Sequence, residues 1–124
     1  KSLRATPDAW GREAVAAYNR HRANAIVVEV NQGGDLVRHL LGTLQGRLPI
    51  REVRASRGKV ARAEPVAALY EQGRIHHVGS WPGLEDQLCG WTPGAESPDR
   101  MDALVWAVTE LMLERAAEPG IRRL

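Results

Sequence analysis

The sequence lacks the features that define several common functional classes. Its single cysteine, Cys89, offers neither a disulfide framework nor the paired thiols of a zinc site. No apolar run approaches the length of a membrane span, and the chain does not open with the charged and apolar regions of a signal peptide. We therefore expect a soluble protein of a reducing cytoplasm that does not contact a membrane. We interpret Cys89 as a small buried apolar residue rather than a nucleophile.

The chain also lacks a strong net charge and a nucleotide-binding loop. Its formal net charge is +2, which does not by itself indicate a nucleic-acid partner. No Gly-x-x-x-x-Gly-Lys-[Ser/Thr] motif occurs, so these residues do not include an ATPase motor. With 124 residues and a hydrophobic share of 44%, the chain has the size and apolar content of one domain, and we predict a single domain over residues 1–124.

What is present is an alternation of helix-like and strand-like segments. The hydrophobic patterns predict a helix over Ala9–Arg22, a strand over Ala25–Asn31, a helix over Asp35–Gln45 and a strand over Leu48–Ala55. This order favours a parallel strand pair joined by a right-handed crossover. One face of the second helix is predicted to hold Leu36, Val37, Leu40, Leu41 and Leu44.

The second half of the chain is less regular. Pro65 is predicted to lie in the first turn of a helix that stops at Gly73, followed by a short candidate strand over Ile75–Val78 and one helical turn over Leu84–Leu88. Large aromatics rarely stay exposed, so Trp81 and Trp91 are predicted to cover the core rather than stack on bases. For His76 and His77, a packed or surface position is favoured over a proton shuttle.

Glu29 stands near the end of the first predicted strand. The run from Ala25 to Val30 is apolar and β-branched apart from Glu29, and turn residues follow it. A carboxylate on a buried strand must pair, take up a proton or bind a cation, because burying an unpaired charge is costly. The carboxyl edges of strands in open α/β sheets are also where ligands bind. Two interpretations of Glu29 stay open at this point: a metal ligand, and a partner of an arginine or of the next helix.

Asp99 and Asp102 lie at the start of a predicted helix. Ser97 is its predicted N-cap and Pro98 its first residue. The two aspartates are three residues apart and share one helical face. Asp99 is typical of a first-turn acid that complements the helix dipole. Asp102 borders the apolar stripe beside Trp106, and this position favours a role as an oxygen ligand of a hard cation. That stripe consists of Met101, Leu104, Val105, Val108, Leu111 and Met112.

A basic cluster lies between these two acidic segments. Within twelve positions that hold one acid, Glu52, the cluster contains Arg51, Arg54, Arg57, Lys59 and Arg62. It follows the second predicted strand, whose carboxyl end should open on the same side as Glu29. A solvated surface loop and a phosphate-binding element are both compatible with such a cluster, and its position favours phosphate contact.

These segments, in their order, resemble the nuclease domain of tailed-phage terminase large subunits, including prophage and gene-transfer-agent versions. The resemblance rests on VVEVNQGGDLV, a K-x-x-R element, LYEQGRIHHVG, LEDQLCGWTP and SPDRMDALVWA. It covers the chain from Pro7 to about Leu113. Single pieces such as LYEQG are weak signals, whereas the ordered set is specific.

The resemblance implies a ribonuclease-H-like α/β fold, with a mixed sheet flanked by helices, and a two-metal endonuclease that cuts concatemeric double-stranded DNA during packaging. Of the family's acidic metal ligands, Glu29 matches the second and Asp102 the third, with Asp99 as an accessory ligand for Mg²⁺ or Mn²⁺. Paired ions of this kind stabilise the attacking and leaving oxygens of phosphodiester hydrolysis. The family's first acidic ligand and its strands are expected upstream of Lys1, so we expect weak metal binding and little cutting by these residues alone.

The same resemblance implies DNA contacts and protein partners. A lysine or arginine lies close to the cleavage point in the family, which matches Lys59 and Arg62, with Arg57 as a further phosphate contact. The implied partners are double-stranded DNA, the terminase ATPase domain, the small terminase subunit and the portal, in the cytoplasm of a bacterial host. Sheet edges left open by the absent strands would favour a dimer or a strand swap.

Two other functions stay open at this point. One is a non-catalytic DNA-binding or portal-docking module, and the other is a different ribonuclease-H-like nuclease, such as a junction resolvase. The terminase-like order of motifs disfavours the resolvase. The absence of a basic or aromatic DNA-reading motif disfavours sequence-specific binding.

Overall fold

The fold alternates helices with two short strands over the residues that the computed structural model describes, which are 2–31, 34–96 and 98–114. The elements are α1 (Pro7–Arg20), β1 (Ile26–Glu29), α2 (Gly34–Leu44), β2 (Ile50–Val53), α3 (Lys59–Glu71), α4 (Pro82–Gly90) and α5 (Asp99–Val108), with π-helical turns at Thr109–Glu114. The chain divides into two compact units, Lys1–Ser56 and Arg57–Leu124. No helix in the described ranges is long and apolar enough to cross a membrane.

In the first unit, β1 and β2 form the parallel pair that the alternation predicts. Ile26 lies opposite Ile50, and Glu29 lies opposite Val53. The N–H of Val30 donates to the carbonyl of Val53 at 2.9 Å and extends the ladder by one bond. Both strands are shorter than the predicted ranges of Ala25–Asn31 and Leu48–Ala55.

The ends of α1 follow local capping rules. Thr6 is the N-cap and Pro7 occupies the first turn, so the helix begins before the predicted Ala9–Arg22 range. It ends at Arg20 because Arg22 takes a φ of 48°, which a right-handed helix cannot continue.

The core of the first unit centres on α2. Leu41 is fully buried, and Val30, just after β1, is 4% exposed. Leu36 was predicted to share the face of Leu41, and this is wrong, since it is 72% exposed. Leu36 precedes Leu41 by five residues and therefore points about 140° away around a helix of 3.6 residues per turn. Gly34 lies close to the end of β1, since a Cβ on it would stand 3.2 Å from Val30 Cγ1.

In the second unit, a core forms where α5 packs against α3 and α4. Its buried cluster consists of Val66, Leu69, Met101, Val105 and Val108. Leu111 was predicted to continue this stripe, yet it is 63% exposed. The helix changes to wider π-helical turns at Thr109. Leu113 packs on the cluster in place of Leu111, while Met112 packs there as predicted.

Three local predictions for the second unit were wrong. Pro65 is the seventh residue of α3 rather than a first-turn residue, because α3 already begins after Gly58 as its N-cap. Ile75–Val78 forms no strand, and the single turn predicted over Leu84–Leu88 is part of the nine-residue α4, whose start has Pro82 in its first turn.

Other predictions for the second unit had mixed outcomes. Pro98 is the N-cap of α5 rather than its first residue, so the helix begins one position later than predicted, and the predicted N-cap Ser97 lies outside the described residues. Trp91 packs against the core as predicted. Trp81 was also predicted to cover the core, and this is wrong, since it is 58% exposed and its indole N–H donates to the carbonyl of Val78 at 2.9 Å. Cys89, the next-to-last residue of α4, is exposed, contrary to prediction.

Candidate nucleic-acid and metal site

Glu29 is the last residue of β1, at the carboxyl end of both parallel strands. Glu29 was predicted to be buried, and this is wrong, since the residue is exposed. The strand ladder turns alternate side chains to opposite faces, and Glu29 is the one residue of β1 that is exposed. A carboxylate in that position can meet a cation without the large desolvation cost of a buried charge.

A second acid of the sheet, Glu52, is already engaged. It lies opposite Val28 in the register, one residue out of step with Glu29, so the two carboxylates point to opposite faces. Its Oε1 accepts a hydrogen bond from Arg38 Nε and lies 3.1 Å from Arg38 Nη2. Glu52 therefore stabilises the packing of α2 on the sheet and does not add to the edge that Glu29 occupies.

In the second unit, the N-terminus of α3 meets the first turn of α5. Lys59 is the first residue of α3, and its Nζ lies 3.5 Å from Asp102 Oδ2. The side chain of Asp102 is 28% exposed, which agrees with the inward orientation predicted beside the apolar stripe. The sequence places these residues 43 positions apart, and packing of α3 on α5 brings their charges together.

Arg62 lies on the same helix as Lys59, and its side chain has two contacts. Its Nη1 donates to the carbonyl of Arg57 at 2.7 Å, and its guanidinium carbon lies 4.9 Å from the centroid of the Trp106 ring. Trp106 is buried, so it provides a fixed aromatic face for the cation. The predicted phosphate-binding residues Lys59 and Arg62 thus lie on one helical turn, whereas the side chain of Arg57 is exposed before the helix.

The start of α3 is suited to anions by its backbone as well. Its N-cap, Gly58, has no side chain to accept the first N–H groups, and the first turn contains no acid. Free N–H groups and the positive end of the helix dipole attract phosphate, and two cationic side chains add to that field. Arg51 and Arg54, the other members of the basic cluster, belong to the first unit.

A glutamine that the sequence analysis missed caps α5. Oε1 of Gln87, on α4, accepts hydrogen bonds from the N–H groups of Arg100 at 3.0 Å and Met101 at 3.2 Å. Asp99, the first residue of α5, is exposed and is not needed for this capping. No local sequence signal could have found Gln87, since the N-cap rules look for Ser, Thr, Asp or Asn next to the helix.

A second polar network connects α3 to α4. The Tyr70 hydroxyl lies 2.8 Å from His77 Nε2, and His77 Nδ1 lies 3.0 Å from Glu85 Oε1. The hydrogen bonds from His77 and from the Trp81 backbone N–H lower the pKa of Glu85. Burial raises the pKa of Tyr70. His77 is therefore a packed histidine, as the sequence favours, while His76 is exposed.

Comparison with protein families identifies the chain. A family model described as the terminase RNaseH-like domain matches residues 2–111. The chain belongs to this family. The resemblance inferred from the motifs is confirmed, and the helices with their small parallel sheet form an α/β, ribonuclease-H-like domain that supports a terminase nuclease-type role. Comparisons with curated proteins and with solved structures found no significant match.

The carboxylates of the terminase domain have the right chemistry for a hard divalent cation, because Mg²⁺ prefers oxygen ligands. Asp102 already faces a cation, the ammonium group of Lys59. Among the described residues, however, no group of three or more His, Cys, Asp and Glu is placed to hold a metal ion. Glu29, Asp99 and Asp102 therefore stay predicted metal ligands.

Proposed function

We propose that this terminase domain is a metal-dependent endonuclease that cuts concatemeric double-stranded DNA during genome packaging. The observation that carries the proposal is the meeting of Lys59 and Asp102 at the N-terminus of α3, with Arg62 on the same turn. Groups that suit a phosphate thus adjoin a carboxylate of the type that holds Mg²⁺. Membership of the terminase RNaseH-like family supports the nuclease-type role.

The cationic residues would position the DNA backbone. Arg62 is already oriented by Trp106 and by the carbonyl of Arg57, so it loses little side-chain freedom on binding a phosphate. Lys59 can exchange its contact with Asp102 for a phosphate oxygen through its flexible stem. Arg57 would contact a neighbouring phosphate. None of these contacts reads a base, so we propose cutting without sequence-specific side-chain readout.

The proposed metal ligands are Glu29 and Asp102, with Asp99 assisting, together with the acidic residue that the family holds on an upstream strand. Bound Mg²⁺ or Mn²⁺ would supply an activated water and neutralise charge that develops on the phosphate. In the packaging system, the proposed partners are the ATPase domain, the small terminase subunit and the portal, in the host cytoplasm.

Nicking of supercoiled plasmid in the presence of Mn²⁺ tests the proposal. The assay compares this chain, a longer protein that adds the upstream strands of the family, and the longer protein with Asp102→Ala. Of these three, we expect only the unmutated longer protein to cut. Asp86→Ala in the longer protein is a matched control, because Asp86 is an exposed acid on α4, and it should cut normally. If no version cuts while all bind DNA, the endonuclease proposal is wrong.

A second candidate is a non-catalytic DNA-binding module, because Lys59 and Arg62 at the start of α3 could bind phosphates without a metal ion. The salt dependence of DNA binding distinguishes the roles of individual residues. Lys59→Ala and Arg62→Ala should each lower the slope of log K against log salt by about 1 if they contact phosphates. Asp102→Ala should leave that slope unchanged, so a loss of cutting without loss of binding would assign Asp102 to the chemistry.

A further inference from the structure

A groove of about 530 Å³ opens in the second unit between α3 and α4. Three of its lining side chains, Val66, Met101 and Val105, belong to the buried core cluster. Leu88 and Trp91 form the wall on the α4 side. The groove is thus an accessible apolar surface continuous with the core, and its lining does not include Lys59, Arg62 or Asp102.

The α3 side of the groove has the spacing of a helix-packing seam. Its lining residues occupy the first, fourth and fifth positions of two successive heptads: Val60, Ala63 and Glu64, then Ala67, Tyr70 and Glu71. Apolar residues at the first and fourth positions, with charges beside them, form the surface onto which a second helix packs. Ala63 and Ala67 are small, which lets a partner helix approach closely.

The ionisable side chains that line the groove are three glutamates, Glu64, Glu71 and Glu85, and one histidine, His77, which is hydrogen-bonded to Glu85. Glu64 and Glu71 are exposed on its α3 side, and no lysine or arginine belongs to its lining. Within the described residues, neither glutamate has a hydrogen bond or ion pair. They are seven residues apart, which separates them by about 10 Å along a helix with a rise of 1.5 Å per residue. Two cations seven residues apart on a partner helix would match this separation.

We propose that this groove binds an α-helix of a partner protein whose apolar seam is flanked by lysine or arginine residues at heptad spacing. Helix-in-groove recognition uses apolar anchors at such positions, and charges beside the seam select the partner and its orientation. The acidic rim repels DNA phosphates, so this surface serves a protein, while the cationic start of α3 suits nucleic acid. The inference does not depend on endonuclease activity.

Fluorescence anisotropy with labelled, stapled peptide helices tests the proposal. The first probe has leucine at the seam and lysine at both flanking positions of each heptad. The second replaces every lysine with glutamate, and the third replaces every leucine with serine. We expect the lysine–leucine helix to bind at least tenfold more tightly than either control, because it alone matches both the apolar lining and the acidic rim.

Variants locate the binding to the groove. Glu64→Lys should weaken binding of the lysine–leucine helix about tenfold, whereas Asp86→Lys, an equal charge change outside the groove lining, should have a much smaller effect. The double variant E64K/E71K should bind the glutamate–leucine helix better than the native chain does. Cys89 lines the groove and is the only cysteine, so its alkylation with a bulky maleimide should block binding.

Two results would overturn the inference. One is equal affinity for the three peptides, which would mean that neither the seam nor the charge is recognised. The other is binding of the lysine–leucine helix that neither Glu64→Lys nor the Cys89 adduct weakens, which would place it elsewhere. Thermal melts by circular dichroism verify that each variant is folded, and Glu64 and Glu71 are exposed, so their replacement should leave the melting temperature nearly unchanged.

Discussion

The two units of this chain differ in what holds them together. The first has a parallel pair of four-residue strands and few buried side chains, and two of its buried residues are the glycines Gly11 and Gly34. The second buries a contiguous cluster of apolar side chains around α5. The first unit therefore depends on close approach of the backbone, and the second depends on side-chain volume.

The units also differ in how their charges are arranged. In the first, Glu29 stands exposed at a strand end, and Glu52 is paired with Arg38. In the second, Lys59 meets Asp102 at the start of α3, while the groove farther along α3 has an acidic rim. One helix thus presents a cationic end and an acidic side, which suits two different kinds of partner.

The largest effect is expected from Leu41→Ala in the first unit. Leu41 is fully buried, and removing a buried leucine side chain costs about 2–5 kcal/mol of the free energy of unfolding. Leu36→Ala is the matched control on the same helix, since Leu36 is 72% exposed and should change stability by less than about 0.5 kcal/mol. Urea unfolding measures both. Similar losses in the two variants would show that α2 does not pack as described.

A smaller loss is expected from Gly34→Ala, which tests the close approach of the backbone. A Cβ there would stand 3.2 Å from Val30 Cγ1 and 3.3 Å from Glu52 Cδ, and Val30 is buried and cannot move freely. We expect a loss of about 1–3 kcal/mol from overpacking.

Gly42→Ala is the control for this substitution. Gly42 lies within the same helix, and no atom stands within 4 Å of an added Cβ. The alanine should therefore stabilise the protein by about 0.5–1 kcal/mol through helix propensity. If both glycine variants gain stability in urea unfolding, the close packing at Gly34 is refuted.

A still smaller effect is expected for the ion pair of the second unit. Lys59 and Asp102 are 46% and 28% exposed, and solvent screens such pairs, so a double-mutant cycle with Lys59→Met and Asp102→Asn should give a coupling of about 0.2–1 kcal/mol. A coupling well above this range would assign the pair to structure rather than to function. Either single variant should nevertheless impair DNA cutting or DNA binding if the proposed function holds.

The smallest effect is expected from Glu85→Gln, and it should depend on pH. The hydrogen bonds from His77 and the Trp81 N–H lower the folded-state pKa of Glu85, so ionised Glu85 contributes stability above its ordinary unfolded pKa, and this contribution is lost as pH falls through the lowered folded value. The native chain and the variant should differ at neutral pH and converge in acid.

Urea titrations at a series of pH values measure this difference. Asp86→Asn, on the neighbouring position of α4, is the control, because Asp86 is exposed. A difference between the native chain and Glu85→Gln that grows in acid would contradict the sign of the pKa shift.

Much of the frame was predictable from local patterns. The parallel pair, the helix between its strands and the position of Glu29 at a strand end follow from β-branched runs, turn residues and periodicity. The exposure of Leu36 and the change of face before Leu111 were missed, because each depends on the exact phase of one helix against its neighbours. Pattern rules give the presence of an apolar stripe but not the angle at which it meets the core.

The candidate site was predictable in its residue types and not in its contacts. The order of motifs identified the terminase family, and Lys59, Arg62 and Asp102 were singled out by charge and position. That Arg62 lies over Trp106 could not be foreseen, because the two residues are 44 positions apart and no local rule connects them.

The sequence by itself determined the family, the order of helices and strands and the chemical character of the candidate site, because motif order, periodicity and residue type are properties of a linear chain. Only the tertiary structure decided which charged side chains meet and where the backbone at a glycine lies close to another side chain. It also decided that an apolar groove with an acidic rim opens beside α3. These depend on distances between residues remote in sequence, which are set when the helices pack and not before.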